Sequence, residues 1–141
     1  MLLWLHNLLY VCGAFALILG ALHFFFPLLF DFRGAIPSQG DALKPFPLVV
    51  TKYPTTRSDI YGLVWVMNGA ASFAILTVGI LDVFWSVWLR SAYGALIAIW
   101  IALFYFLRAA SQLAMGRRRG DWLILFAFAM LGIFHLLVIF A

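Results

Sequence analysis

"DVFWSVWLR", residues 82–90, is the only place where charge gathers inside a nearly unbroken apolar block from Ile60 to about Met115. As one helix that block would run about 80 Å at 1.5 Å per residue, far more than the roughly 30 Å of a hydrocarbon core. The chain must turn here, and the block becomes two helices. Apolar runs from Leu2 to about Phe30 and from Trp122 to Ala141 add one helix on each side. Each run is close to the roughly 20 residues that a spanning helix needs. The expected fold is an all-α integral membrane protein, a four-transmembrane-helix bundle forming a single domain over residues 1–141. Its helices are expected at about 6–29, 60–82, 88–113 and 121–140, with a longer loop over 31–59.

Composition argues the same way. Hydrophobic residues make up 67% of the 141 residues and charged residues 10%, and the mean hydropathy is +1.10. A water-soluble domain could not cover its surface with so few charges. The single cysteine, Cys12, lies in an apolar run, which excludes a disulfide framework and a cysteine-based metal site. The opening "MLLWLH" has no basic residue and no small-residue cleavage site follows it, so the first run is expected to remain as a helix rather than act as a cleaved signal peptide.

Lysine and arginine set the expected orientation. The first loop with its flanks carries Arg33, Lys44, Lys52 and Arg57; the third carries Arg108, Arg117, Arg118 and Arg119; the second carries Arg90 alone. Eight against one places loops one and three in the cytoplasm and both termini outside, in a bacterial-type inner membrane. The net charge of +4 comes from scattered residues and one Arg triplet, not from a basic domain, so nucleic acid is not an expected partner. Arg117, Arg118 and Arg119 are expected to contact anionic lipid headgroups. The first loop holds four prolines around "PFPLVVTKYP", residues 45–54, which is read as an apolar flap at the membrane interface or as a greasy connecting loop.

Small residues mark the faces where membrane helices approach closely. The first helix offers Gly13, Ala16, Gly20 and then His23 at three-and-four spacing. The second offers Gly62, Gly69 and Gly79 with Asn68 and Ser72 alongside. The third offers Ser91, Ala95, Ala98, Ala102, Tyr105, Ala109 and Gln112, which leaves Ile99 and Ile101 on the lipid side. Trp65, Phe73, Trp100, Phe104 and Phe126 are expected to face lipid or a partner.

Polar groups at membrane depth are costly, so they are the functional candidates. Counted from the cytoplasmic helix ends, His23 lies about 10 Å deep, Asn68 about 12 Å, Tyr105 about 10 Å and Arg108 about 6 Å. With Gln112 and Tyr61 just below, they form a candidate ligand pocket of His23, Asn68, Tyr105, Arg108 and Gln112. Pro27 lacks an N–H and deprives the His23 carbonyl of its helical partner, so the first helix should kink there. The freed carbonyl would serve a ligand, a water or Asn68. The plainer alternative is interhelical glue, with Arg108 simply snorkelling to the interface.

No cofactor is expected. His23 and His135 are the residues a haem or pigment would use, but on the same ruler His135 lies about 21 Å from the cytoplasmic side, so no two histidines share a level for bis-histidine ligation. No metal-binding set is present in the sequence. Glutamate is absent and all five aspartates fall in loops or at helix ends, which disfavours a proton-coupled pump. No nucleophile triad or phosphate loop appears, and the reading leans against an enzyme. The expected function is an accessory or structural subunit packing against another membrane protein or itself. The alternative is a lipid- or quinone-handling protein with a cytoplasmic-side pocket, and the third reading a haem- or pigment-binding subunit.

Overall fold

The computed structural model describes residues 3–36, 39, 57–115 and 119–140. Among these residues the chain is helical, with no strand: α1 (Leu3–Phe24), α2 (Phe26–Leu29), α3 (Phe32–Ala35), α4 (Arg57–Val83), α5 (Trp85–Trp88), α6 (Gly94–Met115) and α7 (Arg119–Val138). Four stretches are long and apolar enough to cross a membrane: Asn7–Phe24, Arg57–Val83, Gly94–Leu113 and Gly120–Val138. The expected flap over 45–54, Arg117 and Arg118 lie outside the described residues, and His6 and Arg119 enter through their backbone alone.

Local chemistry explains the boundaries. The first apolar run is not one helix to residue 29. It breaks at Phe25, and Pro27 sits in the first turn of α2, where a missing N–H is harmless. Asp31 follows in the left-handed region at φ 44°, and its Oδ1 accepts from the Gly34 amide at 3.2 Å to start α3. Asp59 and Asp121 lie in the first turns of α4 and α7, where a negative charge complements the helix dipole. The third spanning helix begins at Gly94 rather than 88, because Trp85–Trp88 forms its own turn. A side chain at 94 would run into the carbonyl oxygens of Leu89 and Trp88. Glycine therefore permits the tight entry into α6.

The chain divides into two compact units, Ala14–Ile80 and Met1–Gly13 with Leu81–Ala141. In the first, Ala16 and Gly20 of α1 are buried, as are Ser72, Ile75 and Val78 of α4. Here α1 and α4 come very close: a Cβ on Gly20 would sit 2.9 Å from the Leu76 backbone nitrogen. The small-residue reading of the second helix holds at Ser72 and Gly79, both buried, but not at Gly62 and Gly69, which have open space where a side chain would go.

In the second unit α6 packs along α7, with Gly132 admitting the Phe106 ring to within 2.9 Å of where a Cβ would be. Ala98, Ala102, Tyr105, Ala109 and Gln112 are buried as the spacing predicts. Ser91 and Ala95 are exposed, so the buried stripe begins at Ala98, about two turns later than expected. Ile101 is 1% exposed and Ile99 41%. Ile101 is thus a core residue, and the buried face is wider than an alanine stripe. Phe73, Trp100 and Phe126 point outward, whereas Trp65 and Phe104 are half-buried.

Candidate functional site

The five residues of the expected pocket fall in two sets, one in each unit. His23 and Asn68 belong to Ala14–Ile80; Tyr105, Arg108 and Gln112 belong to the other unit.

In the first set the polar groups close on one another. The Asn68 amide donates from Nδ2 to the His23 carbonyl at 3.1 Å, the oxygen whose helical partner Pro27 removes. Ser72 donates its hydroxyl to the Asn68 carbonyl at 2.7 Å. That uses the only hydroxyl hydrogen, so the 3.2 Å contact between His23 Nδ1 and Ser72 Oγ is a donation from the ring. The result is a closed ring of three hydrogen bonds linking the end of α1 to the middle of α4. Such rings polarise one another and gain from the low dielectric around them. The His23 imidazole also lies against Phe26, with ring centroids 4.3 Å apart. Ser72, fully buried, is the member that the depth count left out of the pocket.

The second set runs along α6 and α7. Arg108 donates from Nη1 to Ser111 Oγ at 2.9 Å and to Gln112 Oε1 at 3.3 Å, and its guanidinium lies 5.2 Å from the centre of the Phe128 ring. Gln112 in turn donates from Nε2 to Asp121 Oδ1 at 3.0 Å, joining the end of α6 to the start of α7. Tyr105 belongs to the same aromatic cluster, with its ring 6.1 Å from that of Phe128 and 5.2 Å from that of His135. Arg108 is therefore held by specific partners along its own helix and by an aromatic face, rather than only reaching outward.

The most deeply buried polar pair joins His135, expected only as a haem or pigment ligand, to Asp82, which was not among the expected site residues. His135 Nε2 lies 2.9 Å from Asp82 Oδ1, with both side chains fully buried. The sequence used Asp82 only as the marker of a turn; the structure encloses it in the last turn of α4. Beside it, Trp88 donates its indole N–H to the Leu81 carbonyl at 2.6 Å, capping one of the carbonyls that the end of α4 leaves without a helical partner. His135 Nδ1 lies 2.8 Å from the Leu131 carbonyl, so both ring nitrogens are engaged. Among the described residues no group of three His, Cys, Asp or Glu side chains gathers to hold a metal ion.

No family model matches the chain, and neither a curated protein nor a solved structure does.

Proposed function

We propose that this protein is a small integral membrane subunit that acts by packing against another membrane protein or a second copy of itself. One observation supports the reading. In each unit the polar side chains find partners within the protein: His23 bonds Ser72, Asn68 the His23 carbonyl and Ser72 the Asn68 carbonyl in one, and Asp82 pairs with His135 and Gln112 with Asp121 in the other. Polar pairs of this kind hold membrane helices in register. What remains outward is large and apolar, including Phe73, Trp100, Leu107 and Phe126. In this proposal the four spanning helices form one bundle in a bacterial-type inner membrane, with both termini outside on the eight-to-one basic count. Arg117, Arg118 and Arg119 meet anionic headgroups in loop three.

The test is photo-crosslinking in native membranes from a reactive side chain placed at Trp100 or Phe126. The expected product is one defined adduct, either a specific membrane protein or the dimer. Adducts to lipid alone at both positions would defeat the proposal.

A second reading, a lipid- or quinone-handling protein, is favoured by the Arg108 cluster. A guanidinium, a carboxamide and an aromatic face meet there near the C-terminal end of α6. This reading predicts that a headgroup-bearing lipid or a quinone co-purifies in stoichiometric amount and is lost in Arg108→Leu. A visible absorption band after purification would instead point to the third reading, a haem or pigment at His23 or His135.

A further inference from the structure

Both nitrogens of the His135 ring face oxygen. The Leu131 carbonyl can only accept, so Nδ1 carries a hydrogen. Nε2 faces Asp82 Oδ1 at 2.9 Å. With no hydrogen between them, a nitrogen lone pair would confront a carboxylate oxygen, and the contact would be repulsive. One proton must therefore occupy this contact, and with it the pair as a whole is neutral. The other carboxyl oxygen supplies an independent observation: Asp82 Oδ2 is buried and receives no hydrogen bond from the described residues. If the shared proton left, the carboxylate would be enclosed with neither oxygen satisfied, a costly state in a dry interior.

We propose that Asp82 and His135 form a buried proton-binding site, and that the bound proton latches the last turn of α7 to the C-terminal end of α4. The elements around the pair fit this role. Among the described residues, the other titratable groups that sense Asp82 are Cys12 on α1 and Tyr105 on α6. Both are neutral in their protonated forms, so neither supplies a fixed positive charge that could replace the proton. Trp88, buried and bonded to Leu81, covers the turn that follows Asp82. A proton is also the ligand that needs no cavity, which suits two side chains at 0% exposure. Opening is a simple deprotonation: the proton passes to water, Asp82 keeps the electron pair as carboxylate, and His135 remains a neutral imidazole with Nδ1–H. A packing subunit would thereby respond to proton availability on the side where α4 and α7 end.

Two measurements on protein reconstituted in lipid nanodiscs test the proposal. The first uses the wild type with ¹⁵N-labelled histidine at neutral pH. The expected spectrum shows His135 with Nδ1 protonated and Nε2 in a strong hydrogen bond that shares a proton with Asp82. An unprotonated Nε2 with no proton in the contact overturns the proposal.

The second measurement follows amide hydrogen exchange at Leu136, Leu137 and Val138 from neutral to alkaline pH, relative to α6 amides at the same pH. The closed state binds one proton more than the open state, so stability of the closed turn falls as pH rises. The exchange ratio should grow by about tenfold per pH unit. In Asp82→Asn the amide donates permanently to Nε2, and the ratio should stay flat. A flat ratio in the wild type, or the same slope in both proteins, refutes the latch. Should Asp82→Asn fail to fold, the wild-type spectrum and slope decide alone.

Discussion

The bond from Asn68 to the His23 carbonyl exists because Pro27 cannot make the helical one, and a double-mutant cycle tests that causal link. Asn68→Leu removes the amide that reaches His23 at 3.1 Å and leaves a half-buried carbonyl without a donor. Interhelical hydrogen bonds in membrane proteins measure about 0.6–1.7 kcal/mol, so the single variant should lose about 1 kcal/mol. Pro27→Ala places an N–H four residues after His23, where the α-helical bond to that carbonyl would form. In the Pro27→Ala background the carbonyl has a second donor, and Asn68→Leu should then cost close to nothing. The coupling energy is therefore expected at about 1 kcal/mol, the value of the bond at stake. Reversible unfolding of the four proteins in one detergent supplies the measurement. Equal penalties for Asn68→Leu in both backgrounds, within the roughly 0.5 kcal/mol of ordinary additivity, would show that proline and asparagine act independently. The account of the kink would then be wrong.

Three further outcomes are expected. Gly20→Ala should destabilise by about 1–3 kcal/mol in the same unfolding assay, because the new methyl meets the Leu76 backbone as well as its side chain; wild-type stability would show that α1 and α4 are not in close contact there. Ile101→Ala should cost about 2–5 kcal/mol by leaving a cavity, while Ile99→Ala, already 41% exposed, should cost far less; equal losses would mean that α6 is rotated from the orientation described. Reporter tags at residues 1 and 141 should both read extracytoplasmic and a tag in loop three cytoplasmic, and a cytoplasmic C-terminus with four spans would sink the orientation.

The four helices long and apolar enough to cross a membrane were legible because length and apolarity leave few alternatives, and one charged interruption at 82–90 is enough to divide the long block. Ala98, Ala102, Tyr105, Ala109 and Gln112 were legible because three-and-four spacing projects onto one face. Ile101 was not. A preference for small residues at close approaches says nothing about a branched side chain filling the space beside them, and burial around α6 depends on what α7 brings. Asp82 and His135 escaped for a geometric reason. Depth counted from the helix ends expected in the cytoplasm, at 60 and 121, separates them by about 12 Å, since α4 is the longer helix, with 27 residues against 20 in α7. Counted instead from the C-terminal ends, Asp82 lies one residue and His135 three residues inside their helices, which brings them level. Unequal helix lengths place the overhang at one end only, and nothing in one-dimensional counting says which end.

The two deep polar clusters share a cause that becomes visible once the breaks are located. Each lies where a spanning helix is interrupted, at Phe25 after α1 and at Phe84 after α4. An interruption leaves carbonyls without their helical N–H partners, and in an apolar interior such a carbonyl is costly unless another donor reaches it. In both places a side-chain N–H arrives: Asn68 Nδ2 at the His23 carbonyl and Trp88 Nε1 at the Leu81 carbonyl. A histidine stands beside each arrangement and carries the network to another helix, His23 to Ser72 on α4 and His135 to Asp82. The polar residues of these two clusters thus lie at helix breaks, one set by Pro27 and the other by the charged turn. A perturbation that heals a break should therefore release its polar partners, and the Pro27→Ala background is the arrangement in which that dependence can be read directly.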